Sequence, residues 1–225
     1  MGKCEQCSIR QLNAFKELTT DELMGLSLCR ASKTLEKGEV LFDEGEYING
    51  IYCVREGVCK VSKLSDNGKD QIINLIKKGD LIGERSLINN EASNLKAVAL
   101  NTVEVCFIPK EEVLKNLERN QNFTMSILQK LATSLKNADN IIVDMAQKPV
   151  KQRLAITLLY LHQNFDLQID AMHLTREDIA NITGTASETV IRLLSEFKKN
   201  GLISVARKTI TIKNEKGLRL LAEGY

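Results

Sequence analysis

Short hydrophobic runs separated by glycines fill the chain from Lys33 to about Pro109. Runs of this length, bounded by turn residues, predict β-strands, here at 40–42, 50–54, 58–61, 71–76 and 103–108. Asp66-Asn67-Gly68-Lys69 is a hairpin signal, because an Asn-Gly pair readily adopts positive φ angles. This part of the chain is therefore predicted to be a β-sandwich or β-roll.

The hydrophobic spacing changes after Pro109, and residues 123–145 contain neither proline nor glycine. Apolar residues recur there at alternating steps of three and four: Leu128, Leu131, Leu135, Ala138, Ile142 and Met145. This spacing is typical of the seam between two parallel helices, so we expect a long helix that forms a homodimer. Because the seam carries no charge that would oppose association, we expect the dimer to be constitutive. A helix packed on its own domain is the alternative. Pro149 is expected to end the segment.

Two helices joined by a tight turn are predicted in the C-terminal part of the chain. Capping-box patterns start at Thr175 (Thr175-Arg176-Glu177-Asp178) and at Thr185 (Thr185-Ala186-Ser187-Glu188), and Gly184 separates them. The apolar face of the second helix is formed by Val190, Leu193, Leu194 and Phe197. Asn200-Gly201 is a C-cap pattern, and two short β runs follow it with Arg207-Lys208 at their turn.

This order of elements is typical of a winged helix-turn-helix, whose second helix enters the major groove of DNA. Arg192 can pair with guanine, and Glu188 can accept a hydrogen bond from cytosine. A surface ion pair between Glu188 and Arg192 is the alternative for these two residues, and protein contacts are the alternative for the helix pair. The residues predicted to contact DNA are Ser187, Glu188, Thr189, Ile191, Arg192, Lys198, Lys199, Arg207 and Lys208.

Composition and charge narrow the class of protein. The 225 residues are 43% hydrophobic, as in ordinary folded proteins, and the net charge is +2. Residues 148–225 hold 12 Lys and Arg against 8 Asp and Glu, which favours a nucleic-acid partner at this end. The longest apolar stretch is too short to cross a bilayer, so we expect a soluble, cytoplasmic protein without membrane contact. The sequence contains no nucleophile elbow, phosphate loop or paired-histidine metal motif, and we expect no enzymatic activity.

The six cysteines lie in the first half of the chain, at positions 4, 7, 29, 53, 59 and 106. In an intracellular protein they favour metal binding, redox sensing or core packing over disulfides. Cys29, Cys53 and Cys59 are expected to be buried small residues. A haem would have to bind through cysteine, since both histidines, His162 and His173, lie in the DNA-binding half.

The motifs resemble those of the Crp/Fnr superfamily of bacterial regulators over nearly the whole chain. They are Gly45-Glu46, Glu56-Gly57, Gly79-Asp80-Leu81-Ile82-Gly83-Glu84, Ile108-Pro109 and Ser187-Glu188-Thr189-Val190-Ile191-Arg192-Leu193-Leu194. The resemblance implies an α+β protein with three parts: a β-roll sensor like a cyclic nucleotide-binding jelly roll (1–120), a dimerisation helix (121–147) and a winged helix-turn-helix (148–225). It further implies a dimer that reads a palindromic DNA site and contacts RNA polymerase.

The resemblance also suggests two kinds of signal. Cyclic nucleotide-binding members use a Gly-Glu pair for the ribose, present here as Gly83-Glu84, and an Arg-Ser pair for the phosphate. At the phosphate position this chain has Ser93-Asn94-Leu95-Lys96, so the arginine is missing and cyclic AMP is disfavoured. Arg85 or Lys96 are the residues that could replace it.

Members of the Fnr branch hold a 4Fe–4S cluster through three N-terminal cysteines and one distant cysteine. Cys4 and Cys7 resemble the first two and Cys106 resembles the distant one, but Asn13 stands at the third position. An amide is a poor iron ligand beside thiolate. Cys29 or a carboxylate such as Glu17 are candidates for the fourth ligand, and the alternatives are a thiol redox sensor or a vestigial set of cysteines.

Overall fold

The computed structural model describes residues 4–65, 68–165, 174–207 and 209–224. The described residues form two compact units, one drawn from Met1–Lys63 and Asn74–Asn137, the other from Leu64–Ile73 and Ala138–Tyr225. Among these residues, no helix is both long and apolar enough to span a membrane. The described residues do not include Asn67 of the predicted hairpin, the predicted DNA contact Lys208, or His173.

The predicted β-roll is confirmed as two four-stranded sheets. The first has the order β1-β8-β3-β6, and its strands are β1 (Ala31–Leu35), β8 (Val103–Pro109), β3 (Gly50–Glu56) and β6 (Leu81–Ile82). The second has the order β2-β7-β4-β5, and its strands are β2 (Val40–Phe42), β7 (Lys96–Ala99), β4 (Val58–Leu64) and β5 (Asp70–Lys77). The five predicted strands correspond to β2, β3, β4, β5 and β8.

The first sheet separates two hydrophobic clusters, because successive side chains of a strand point to opposite faces. Val54 and Val105 face the interior between the two sheets, with Cys59. Ile51, Cys53 and Ile108 face the other side, where they pack in a second cluster that we call the outer core.

The outer core is covered by the N-terminal segment and by four helices. The segment consists of short 3-10 turns at Cys4–Gln6, Ser8–Leu12 and Ala14–Glu17. The covering helices are α1 (Thr20–Cys29), α2 (Glu84–Asn89), α3 (Lys110–Arg119) and the first turns of α4 (Gln121–Gln147). None of the elements before β1 was predicted from the sequence, although Thr19 and Glu22 form a capping box at the start of α1.

The long helix is present as α4, which extends two residues at each end beyond the stretch 123–145 that the apolar spacing singled out. Phe123 and Ile127 are buried in the outer core, and Leu131 packs against it. Three predicted seam residues are exposed in the single chain: Leu128 is 52% exposed, Leu135 65% and Ile142 66%. The first half of α4 therefore packs one apolar face on the outer core. A second apolar face of the helix is exposed to solvent.

The second unit contains the predicted helix-turn-helix and hairpin. Its elements are α5 (Val150–Phe165), α6 (Arg176–Thr183), α7 (Ser187–Lys199), β9 (Ile203–Ala206), β10 (Thr209–Ile212) and α8 (Glu215–Glu223). Helix α8, which packs on α5, was not predicted. The hairpin β9–β10 is antiparallel, with Val205 opposite Ile210.

One of the two predicted capping boxes is present. At α6, the Thr175 hydroxyl accepts from the Asp178 N–H at 3.0 Å and the Asp178 carboxylate accepts from the Thr175 N–H at 2.9 Å. The box predicted at Thr185 is wrong, since Ala186 is the N-cap of α7 and makes no side-chain cap hydrogen bond. The Thr185 N–H instead donates to the Ala180 carbonyl at 3.1 Å, which commits it to the turn between the helices.

Candidate functional site

Helix α7 divides into a buried and an exposed face. Its predicted apolar face, Val190, Leu193, Leu194 and Phe197, is buried. Near its N-terminus Glu188, Ile191 and Arg192 are exposed, and Ser187 and Thr189 are half-buried. Among the described residues, Glu188 and Arg192 do not form the ion pair that was the alternative interpretation. Both side chains are therefore accessible on one surface.

Arg153 on α5 positions the helix-turn-helix and was missed by the sequence analysis. Its guanidinium donates to four carbonyl oxygens at 3.0–3.2 Å: Met145, Lys148, Thr183 and Gly184. The first two lie at the end of α4 and the others at the end of α6. Carbonyls at helix C-termini lack partners within the helix and carry partial negative charge, so a cation there stabilises both ends.

The turn between α6 and α7 requires glycine. Gly184 is the C-cap of α6 with φ at +71°. A Cβ atom at this position would lie 2.8 Å from the Met145 sulfur. A side chain would thus be strained in its backbone and would have to displace the Met145 side chain.

The cations predicted to contact phosphate lie at the far end of α7 and on the hairpin. Lys199 and Arg207 are exposed, and Arg207 occupies the hairpin turn with φ at +52°. Lys198 is exposed as well, and its ammonium donates to the Val205 carbonyl at 3.5 Å. The contact ties α7 to the hairpin that carries Arg207.

At the position of the cyclic nucleotide pocket, the candidate side chains bind protein partners. Glu84 forms an ion pair with Lys130 of α4. The Arg85 guanidinium donates to the Asn94 amide oxygen at 2.5 Å. The Lys96 ammonium lies 3.0 Å from the Asp43 carboxylate, and this hydrogen bond lowers the pKa of Asp43. Gly83 begins α2 with φ at +102°.

Cys4, Cys7 and Cys106 line one cavity of about 350 Å³ in the first unit. Cys4 and Cys7 are held in a tight turn, in which the Cys7 N–H donates to the Cys4 carbonyl at 3.2 Å. The Cys4 N–H donates to the Ser27 hydroxyl of α1 at 2.7 Å. The structure thus brings together the three cysteines that the sequence analysis selected.

Charges of both signs surround this cavity. The charged residues that line it are Arg30, Arg55, Lys78, Glu56 and Glu104, and Arg55 pairs with Glu104 at 3.5 Å. The Arg30 guanidinium lies 3.4 Å from the Cys106 sulfur. Burial raises the pKa of Cys4, while the Ser27 hydrogen bond and the Arg30 charge lower it.

A fourth cysteine, Cys53, does not line the cavity but packs in the outer core beside the other three. It stands on β3 directly opposite Cys106 on β8 and is 6% exposed. Burial, together with the nearby thiols of Cys106 and Cys7, raises the pKa of Cys53 to about 12. The Asn13 amide donates to the Cys53 sulfur at 3.3 Å. The burial expected for Cys53 and Cys59 is confirmed.

The burial predicted for Cys29 is wrong. Cys29 is the last residue of α1 and is exposed, because it lies on the solvent side of the helix. It is not among the residues that line the cavity, and neither is Glu17, which pairs with Lys16 at 3.7 Å. The structure places neither candidate fourth ligand with the other cysteines.

The donor set does not suit a single metal ion. Within the described residues, no three His, Cys, Asp or Glu side chains are close enough to hold one ion. A tetrahedral zinc site requires all of its ligands around one atom. A 4Fe–4S cluster places each thiolate on a different iron, so its ligands stand further apart. Three thiols line the cavity, one fewer than the four that such a cluster requires.

Two family models match the chain. The model of the cyclic nucleotide-binding domain matches residues 32–120, and that of the Crp-like helix-turn-helix domain matches residues 152–221. The anaerobic regulatory protein of Haemophilus influenzae is 32% identical over 96% of this chain and 86% of its own length. The chain belongs to the Crp/Fnr family of transcriptional regulators. As such it is a DNA-binding transcriptional regulator.

Other Crp/Fnr proteins agree with this assignment. The fumarate and nitrate reduction regulatory protein of Yersinia pestis is 31% identical over 97% of this chain and 90% of its own length. Among solved structures, FixK2 from Bradyrhizobium japonicum is similar with a TM-score of 0.77 and 23% identity, covering 85% of this chain and 96% of its own. A Crp/Fnr regulator from Eubacterium rectale has a TM-score of 0.76 at 21% identity, with coverage of 93% and 97%. Both structures support the fold.

Proposed function

We propose that this Crp/Fnr protein is a homodimeric regulator that senses oxygen or redox state through an iron–sulfur cluster. The observation that carries the proposal is that Cys4 and Cys7 line one cavity with Cys106, although seven strands separate them along the chain. The names of two relatives, an anaerobic regulatory protein and a fumarate and nitrate reduction regulatory protein, are consistent with such a signal.

Cys4, Cys7 and Cys106 are the proposed ligands. When bound, the cluster supplies a redox-active centre that oxygen can oxidise. Arg30 offsets the negative charge of the thiolates, since its guanidinium lies against the Cys106 sulfur. Cyclic AMP is the less favoured signal, because Glu84 and Lys96 are engaged by Lys130 and Asp43.

The dimer is proposed to form along the exposed face of α4. Leu128, Leu135 and Ile142 recur at seven-residue steps on this face, and Ala138 is exposed between them. Burying such a stripe against a partner helix removes apolar surface from water. A dimer in turn presents two α7 helices to a palindromic site.

The proposed DNA contacts combine the sequence prediction with the accessible positions of α7 and the hairpin. Glu188 and Arg192 read bases together with Ser187, Thr189 and Ile191, and Lys198, Lys199, Arg207 and Lys208 bind phosphates. We assign 1–120 to the sensor, 121–147 to the dimer helix and 148–225 to the DNA-binding domain. We further propose that the regulator acts in the cytoplasm, contacts RNA polymerase and has no catalytic role.

Iron and acid-labile sulfide analysis of anaerobically purified protein tests the proposal. We expect about four irons and four sulfides per chain and a visible absorption that bleaches in air. Cys4→Ala should lose both, whereas Cys59→Ala should keep them, because Cys59 lies in the interior between the sheets. Colourless, iron-free wild-type protein that still binds duplex DNA would contradict the cluster and leave only the DNA-binding regulator.

A further inference from the structure

We infer that Cys53 is the fourth thiolate ligand of the proposed cluster and that Asn13 is a positioning residue for it. This inference rests on the proposed function. It concerns a cysteine that the sequence analysis assigned only to core packing, and it replaces Cys29 and Glu17 as candidates.

The strand register places Cys53 next to a ligand that is already proposed. Cys53 and Cys106 are direct partners in the antiparallel pair β3–β8. Directly opposite residues of such a pair have Cβ atoms roughly 4.5–5.5 Å apart on the same face of the sheet. Both side chains point to the outer core, which the segment bearing Cys4 and Cys7 covers.

Asn13 stands at the position where the family has its third cysteine, and its side chain contacts Cys53. Its amide nitrogen donates to the Cys53 sulfur at 3.3 Å and to the Gly79 carbonyl at 3.0 Å, and its oxygen accepts from the Phe15 N–H at 3.0 Å. The family resemblance places a cysteine at position 13. Asn13 stands there instead, and its side chain contacts the Cys53 thiol. One thiol therefore remains in this region, but it comes from β3 and not from the N-terminal segment.

Electrostatics agrees with this geometry. Besides burial, the thiols of Cys7 and Cys106 raise the pKa of both Cys4 and Cys53. All four cysteines pack in the outer core, which places their thiols in one region of the first unit.

The other two cysteines serve as matched controls. Cys59 is buried like Cys53, but it faces the interior between the sheets. Cys29 is exposed at the end of α1. Cys59→Ala measures the general effect of removing a buried cysteine. Cys29→Ala tests whether Cys29, the candidate from the sequence, is a ligand.

The experiment compares iron, sulfide and the rate of iron release to a chelator in anaerobically purified variants. We expect Cys53→Ala to hold less than half of the wild-type iron, or to release it at least tenfold faster, while Cys59→Ala and Cys29→Ala match wild type. The double variant Asn13→Cys/Cys53→Ala should regain the wild-type content, because it returns a thiol to the same region. Cys53→Ala with wild-type content and release rate would overturn the inference while leaving the cluster in place. Iron-free wild-type protein would instead overturn the proposed function.

A second measurement does not depend on removing Cys53. Asn13→Ala removes the N–H···S hydrogen bond, and hydrogen bonds to ligand sulfurs raise the reduction potential of a cluster. We expect a more negative midpoint potential in Asn13→Ala with iron and sulfide unchanged. An unchanged potential would mean that the sulfur beside Asn13 is not a ligand.

Discussion

The rings of Phe15 and Phe123 stack with their centroids 5.8 Å apart and their planes 12° apart. Phe15 belongs to the N-terminal segment just after Asn13, and Phe123 lies in the first turn of α4. Both are buried in the outer core. The cysteine segment and the proposed dimer helix are therefore parts of one packed cluster, through which a change at the cysteines can reach α4.

Replacing Phe15 with alanine should loosen this connection. Truncation of a buried phenylalanine costs roughly 3–5 kcal/mol through lost burial and the cavity that remains. We expect that decrease in the free energy of unfolding, measured with urea, together with a weaker effect of air on DNA binding. Leu28→Ala is the control, since Leu28 is 87% exposed and its loss should cost little. A similar, small cost for both variants would contradict the role of the Phe15–Phe123 pair.

Arg153→Ala should destabilise the second unit and reduce DNA affinity. The guanidinium binds carbonyls at the ends of α4 and α6. Hydrogen bonds to a charged group contribute roughly 1.5–3 kcal/mol each to stability, and some carbonyls regain water when the arginine is lost. Arg153→Lys keeps the charge but not the planar fork, so it should restore only part of the stability. Thermal unfolding of the three proteins measures this, and equal melting temperatures would rule out the positioning role.

Arg192→Ala should reduce specific DNA binding without affecting stability. Loss of a base contact costs roughly 1–3 kcal/mol of discrimination, whereas the exposed side chain contributes little to folding. Lys199→Ala is the comparison, because loss of a phosphate contact weakens binding to all sequences and lowers the salt slope by about one. Titrations of a palindromic and an unrelated duplex separate the two effects. An unchanged ratio of the two affinities in Arg192→Ala would exclude a base-reading role.

Leu135→Glu should convert the dimer to monomers. Leu135 is exposed in the single chain and lies at the middle of the proposed seam, where a carboxylate would have to be desolvated. Asn140→Glu places the same charge on the opposite side of α4 and should leave the dimer intact. Sedimentation of cofactor-free protein measures the assembly. Dissociation of cofactor-free wild-type protein at micromolar concentration would contradict a dimer that persists without its cofactor.

Local patterns in the sequence predicted much of the fold. The apolar spacing of α7 and the Thr175–Asp178 box are local features, and the structure confirms both. The Thr19–Glu22 box is equally local, so α1 was predictable. Strand β1 was not, because four of its five residues are exposed and leave no alternating pattern.

The candidate sites depend on contacts that no local pattern contains. Cys53 and Cys106 meet through the register of β3 and β8, and that register is set by the whole sandwich. Arg153 reaches carbonyls at the ends of two other helices, which a helical sequence pattern does not reveal. The resemblance to the Fnr branch selected Cys4, Cys7 and Cys106, but only the packing of the outer core shows that Cys53 accompanies them.

Control of DNA binding by the cysteine site is tested most directly by the affinity for a palindromic duplex before and after air exposure. We expect anaerobically purified wild-type protein to bind at least about tenfold more tightly, a difference of about 1.4 kcal/mol, than the same protein after its absorption has bleached. Cys4→Ala should bind with one affinity under both conditions, whereas Cys59→Ala should respond as wild type does. Equal affinity of the wild-type protein before and after air exposure would contradict a regulator controlled from its cysteines.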